Sequence, residues 1–146
     1  MRLRRGLYAK DKNYAQFEVA GKLYSPSYVS LETALAIEGV VFQYYETIFS
    51  MSYLTRSVTC DGKKYFYRRI KESALINTAG IENRGGYSVA TKERALLDAI
   101  YAYKNYHFDN LRQIDWEKCF ELVKIYENKE MRGRLDSYYK NSKRDV

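Results

Sequence analysis

The sequence predicts an α+β fold: an antiparallel sheet of short strands flanked by helices, with a helical C-terminal region. Three observations carry this. Apolar residues recur at helical spacing between residues 14 and 38. Between residues 47 and 89 that period gives way to β-branched and aromatic runs, punctuated by Asp-Gly and Gly-Gly turns. From Thr91 onward helical spacing returns and persists towards the C-terminus.

The elements follow in order. Arg2 to Ala9 alternates loosely and suits a strand or hairpin leg. Asn13 is placed to cap a helix from Tyr14 to Tyr24, with Phe17, Ala20 and Leu23 or Tyr24 on one face. Pro26 ends that helix, because the residue before proline avoids helical angles. Tyr28-Val29 reads as a short extended link. Ser30 then caps a helix to about Glu38, with Leu31, Ala34, Leu35 and Ile37 turned inward and Gly39 as its stop.

Thr47–Leu54 and Arg56–Cys60 read as strands, and Asp61-Gly62 is a strong hairpin signal. Lys63–Lys71 follows, with Tyr65 and Tyr67 on one face and Lys64, Phe66 and Arg68 on the other. A second hairpin turns at Asn83-Arg84-Gly85-Gly86 and returns through Tyr87-Ser88-Val89. Thr91 caps the next helix, whose buried stripe is Ala95, Leu96, Ala99, Ile100 and Tyr103. Asp115 caps a helix carrying Trp116, Cys119, Phe120, Val123 and Tyr126. Asn128 breaks it, and a basic last helix runs from Glu130 to about Lys140.

The length of 146 residues suits one domain with a real core. No apolar run approaches the roughly 18–20 residues a membrane helix needs, and no secretory signal is read at the start. A cytoplasmic setting is expected, with Cys60 and Cys119 as reduced core residues. The net charge of +7 is uneven. Residues 1–12 hold five Lys/Arg against one Asp, residues 129–146 hold six against three acids, and the stretch between holds 14 of each sign. Clustered positive charge attracts phosphates by releasing counterions. Arg2, Arg4, Arg5, Lys10 and Lys12 are therefore the candidate nucleic-acid contacts. The sixteen tyrosines could stack on bases, but their alternation in strand-like runs fits a sheet face better.

Enzymatic templates fail on the sequence. There is no Walker A loop, no GxSxG elbow and no HExxH. Gly85-Gly86 is explained by a hairpin, His107 lacks a nucleophile partner, and the two cysteines form no CxxC pair. No catalytic residue, metal or cofactor is assigned.

Two segments about sixty residues apart share one pattern: an extended stretch, a hydroxyl, then an amphipathic helix. They are Pro26-Ser27-Tyr28-Val29-Ser30-Leu31-Glu32-Thr33-Ala34-Leu35 and Val89-Ala90-Thr91-Lys92-Glu93-Arg94-Ala95-Leu96-Leu97-Asp98. Ser30 and Thr91 stand where a hydroxyl accepts from an unpaired backbone N–H. Glu32 and Glu93 stand in first turns, where a carboxylate suits the helix dipole. Arg94 and Asp98, four apart, are spaced to pair on the helix surface for a few tenths of a kcal/mol at best. On this reading Tyr28, Ser30, Leu31, Glu32, Ala34, Leu35, Thr91, Glu93, Arg94, Ala95, Leu96 and Asp98 build two well-started helices.

Together with Arg4-Arg5-Gly6-Leu7-Tyr8, which looks like the end of a winged-helix wing, these segments resemble the AbiE-type (AbiEi-like) antitoxins. Those are bacterial transcriptional regulators of type IV toxin–antitoxin operons. The resemblance covers roughly residues 4–103. Lys92 stands where the family usually has proline, and Arg94 where it has lysine; both suit a helix start. The resemblance implies a wing remnant over 1–12 and a single AbiEi-like core domain over 13–146 with C-terminal helices. Most of the family's N-terminal winged-helix domain, including its recognition helix, has no counterpart here. It further implies a non-enzymatic antitoxin and regulator module that counters a nucleotidyltransferase-type toxin without a stable complex. Operator DNA would be held only weakly, since a wing reads few base edges. The alternative is a stand-alone nucleic-acid-binding protein using the basic N- and C-terminal segments.

Overall fold

The structure, a computed structural model, describes residues 2–4, 7–8 and 16–144. The short strands β1 (Arg2–Arg4) and β2 (Leu7–Tyr8) pair with each other as an antiparallel ribbon, separate from the main sheet. Then come α1 (Gln16–Leu23), β3 (Ser27–Val29), α2 (Leu31–Ile37), β4 (Ile48–Ser52), β5 (Arg56–Cys60) and β6 (Lys63–Arg69). They are followed by α3 (Glu72–Leu75), β7 (Ile81–Asn83), β8 (Ser88–Ala90) and α4 (Lys92–Ala102). The chain ends in α5 (Trp116–Leu122), a 3-10 turn (Val123–Tyr126) and α6 (Lys129–Arg144).

The class is α+β. The six-stranded sheet runs β5-β6-β4-β3-β8-β7. Its hairpins and the β3/β4 pair are antiparallel; β4/β6 and β3/β8 add two parallel pairings. The β5–β6 hairpin closes where sequence chemistry allows it: Asp61 (φ 52°) and Gly62 (φ 76°) both take the left-handed angles of a two-residue turn. Register sorts the faces. Val29, Ser50 and Tyr67 lie abreast on one side, where the Tyr67 hydroxyl donates to the Ala20 carbonyl of α1 at 2.5 Å. Tyr28, Met51 and Arg68 lie abreast on the other, facing α2 and α4. Helices α5 and α6 pack behind α4, so Glu93 to Ile100 are all buried. A helix enclosed on every side needs no polar face, which makes its charged residues the ones to explain.

Several expectations need correction. Tyr28-Val29 is not a link but the central strand β3, bonded to β4 on one side and β8 on the other. Ile37 does not face inward; it is 51% exposed, because α2 ends at the surface where Gly39 (φ 73°) turns the chain. A short helix, α3, interrupts the strand region. Asn128 does more than break a helix. Glu127 takes φ 49°, and the Asn128 side chain accepts from the Met131 N–H at 3.1 Å, starting α6. The Asn13 cap lies outside the described residues. Cys60 and Cys119 are buried and form no disulfide among the described residues. No helix among the described residues is long and apolar enough to cross a membrane.

Candidate functional site

The two motif segments meet. Strands β3 and β8 run side by side in parallel, with Val29 opposite Val89, so both hydroxyl residues emerge at the same edge and both helices follow on the same face. Thr91 behaves as its position predicts: its side chain accepts from the Arg94 N–H at 3.3 Å. Ser30 does not cap α2. Its hydroxyl instead donates to Asp98 Oδ2 at 2.6 Å, sixty-eight residues away.

Asp98 is the centre of this contact. Its other oxygen accepts from the Tyr126 hydroxyl at 2.5 Å, and Arg94 Nε stands 3.8 Å away with both side chains fully buried. The expected surface ion pair is thus an interior one. Arg94 spreads its fork over four acceptors: Tyr28 Oη (3.1 Å) and the carbonyls of Ala74 (2.7 Å), Asn77 (3.2 Å) and Ala79 (2.7 Å). Its guanidinium also lies over the rings of Tyr28 and Tyr126, 5.1 and 5.7 Å from their centroids. A planar group with five donors suits such a cluster. Burial pushes the Asp98 carboxyl up, opposed by Arg94, Ser30 and Tyr126. Burial also works against the Arg94 charge, but Tyr28, Tyr126 and Asp98 outweigh it and hold the guanidinium protonated. Tyr28 and Tyr126 are raised well above the phenol range, by burial first and Asp98 second.

The remaining motif residues serve the same assembly. Leu31, Ala34, Leu35, Ala95 and Leu96 are core. Glu93 Oε2 accepts from the Asp115 N–H at 3.1 Å, tying the start of α4 to the start of α5. Glu32 is buried rather than set on an open first turn, and both its oxygens accept from the Tyr103 hydroxyl at 3.0 and 3.1 Å. Burial raises its carboxyl.

The N-terminal candidates are only partly placed. Arg2 and Arg4 lie on β1, and Arg5, Lys10 and Lys12 fall outside the described residues. Strands β1 and β2 pair antiparallel, with an irregular register between Arg2 and Arg4. A second basic element was not foreseen from the sequence. Residues 53–71 hold six Lys/Arg against Asp61, a net +5, and they form the hairpin at the sheet edge. Lys64 and Arg69 are exposed, Lys63 and Lys71 half-buried, and none of the six makes an ion pair among the described residues. Half-buried Phe66 lies between Lys64 and Arg68, its ring 5.8 Å from that of Phe49. A charge count by window finds this element; a count over residues 13–128 averages it away.

Among the described residues, two of the surface cavities differ in character. One, of about 580 Å³, carries Glu93, Asp115, Glu117 and Glu121 on its walls. The other, of about 440 Å³, lies between α6 and the loop after α4. No cluster of three or more His, Cys, Asp or Glu side chains able to hold a metal occurs among the described residues. No family model, curated protein or solved structure matches the chain.

Proposed function

We propose that this chain is the regulatory core of an AbiE-type antitoxin, a non-enzymatic cytoplasmic module that counters a nucleotidyltransferase-like toxin. One observation carries the reading. The two segments that bear the family resemblance, sixty residues apart, converge into one unit through parallel pairing of β3 with β8 and through the Ser30–Asp98 bond. Their shared order and spacing thus have a common structural purpose, which chance similarity of two short segments would not supply. Ser30, Arg94 and Asp98 are closed to solvent, which favours a building role over a catalytic one. The test is genetic. A neighbouring gene should encode a nucleotidyltransferase-fold toxin whose growth arrest this chain relieves on co-expression, with no stable complex on co-purification. A neighbourhood without such a gene, or arrest that persists, overturns the reading.

The β5–β6 hairpin favours a second reading, direct contact with nucleic acid. Cations without an acidic partner among the described residues, beside a half-exposed ring, suit phosphates and bases. Duplex from upstream of the gene should bind with steep salt dependence. Changing Lys63, Lys64 and Arg69 to Glu should lower the salt slope by about 1 for each phosphate no longer neutralised. An unchanged slope in that variant, with binding abolished only when Arg2, Arg4 and Arg5 become Ala, would assign binding to the wing instead.

A further inference from the structure

We infer that the cavity between α6 and the loop after α4 is a binding site for a phosphate-bearing ligand of nucleotide size. Its residues all lie beyond residue 103, so the site is independent of the antitoxin reading. Its volume of about 440 Å³ falls in the range of small-molecule sites, about 300–1,000 Å³.

Charge gives the ligand's sign. Lys104, Arg134 and His107 stand on the wall, and no Asp or Glu lines it. The larger cavity is acidic, so the contrast is specific to this place. Two carboxylates outside the wall stand beside its cations. Glu130 lies 3.9 Å from Arg134 Nη1 and is 88% exposed. Asp109 lies 3.5 Å from His107 Nε2 and accepts the Phe42 N–H. Arg134 is held in place: its Nη2 donates to the Ile100 carbonyl at 3.1 Å. Lys104 and Asn141 make no hydrogen bond or ion pair among the described residues, leaving an ammonium and an amide free at the rim.

The wall is also preorganised and aromatic. Arg134, Tyr138 and Asn141 fall on one face of α6, at positions i, i+4 and i+7. The loop is clamped to that face twice at one hydroxyl: Tyr138 Oη accepts from the Tyr106 N–H at 3.1 Å and donates to the Tyr106 carbonyl at 2.5 Å. Phe108 packs on both tyrosine rings, at 4.9 and 5.2 Å. A fixed aromatic wall beside a cation pair matches a planar base joined to a phosphate, since any base can stack on such a face.

The test is titration of the full chain by amide NMR with inorganic phosphate, adenosine monophosphate and a short single-stranded RNA carrying a terminal phosphate. Shifts centred on residues 104–107 and 134–141, with affinity about tenfold weaker in Lys104→Glu, would support the site. Lys104 is exposed, so this variant should fold normally; Arg134→Gln serves as the second variant, its fold checked by circular dichroism. Tighter binding of the mononucleotide points to a free nucleotide as the source, and tighter binding of the RNA points to an RNA end. Absence of binding by all three probes would overturn the inference. So would shifts elsewhere, or affinity that both variants leave unchanged.

Discussion

Asp98→Ala tests the interior network most directly. The substitution leaves a fully buried guanidinium without its carboxylate and removes the acceptor of both Ser30 and Tyr126. Breaking a buried pair from one side costs about 3–5 kcal/mol, because the remaining charge stays uncompensated. A value near 4 kcal/mol is a large share of the roughly 5–15 kcal/mol that holds a domain folded. With a urea slope of about 2 kcal/mol per molar, the unfolding midpoint should fall by about 2 M. The double variant with Arg94→Met removes both charges, so its cost should be less than the sum of the singles by about 2 kcal/mol. Equilibrium urea unfolding followed by circular dichroism reads both numbers. A midpoint within about 0.5 M of wild type, or strict additivity, would refute the structural role. Failure of toxin control at unchanged stability would instead assign the motif a direct functional part.

Three further outcomes are expected. Burial raises the Glu32 carboxyl above its ordinary value, so the folded state binds its proton more tightly, and this site's stabilisation is lost as pH rises through the folded pKa. Wild type should therefore gain on Glu32→Gln between pH 7.5 and pH 5 in paired urea midpoints; parallel profiles would refute this. Gly80→Ala should destabilise by about 1–3 kcal/mol, since Gly80 has φ 76° and a Cβ there would lie 3.0 Å from Arg94 Cβ and 3.2 Å from a Leu122 methyl; a melting temperature equal to wild type would contradict it. Burial, with Glu93 and Asp115 behind it, pushes the Cys119 thiol up to about 12, so neither Cys119 nor Cys60 should react with a thiol reagent until urea unfolds the chain.

Much of the fold was legible because its signals are local. The Asp61-Gly62 turn, the Thr91 and Asp115 caps and the apolar stripe of α4 each depend on residues within one turn of each other. What escaped was long-range. Strand β3 is three residues long, too short to alternate visibly, and only its neighbours β4 and β8 define it. Arg94 and Asp98 have the spacing of a surface pair; α5, the 3-10 turn and Tyr126 make it an interior one. The same limit hid the basic hairpin, whose charge was balanced in the count by acids elsewhere in residues 13–128.

The two hydroxyl residues show how one local pattern acquires two jobs. Thr91 and Ser30 occupy equivalent places at the ends of paired parallel strands, yet only Thr91 caps its own helix. Ser30 keeps an extended backbone, its N–H donating to the Phe49 carbonyl at 3.0 Å, and the next residue, Leu31, takes φ 53°. A left-handed non-glycine residue costs about 1–3 kcal/mol. Complete burial of the Leu31 side chain and the Ser30–Asp98 bond are the gains that offset it. The two substitutions should then behave differently. Thr91→Ala should lose about 1 kcal/mol, the value of a cap, independently of Asp98. Ser30→Ala should lose a similar amount but be strongly coupled to Asp98→Ala, because both remove the same bond. Double-mutant cycles in urea measure the two couplings. Equal couplings for Thr91 and Ser30 would mean that the second motif, not the bridge between motifs, holds Asp98 in place.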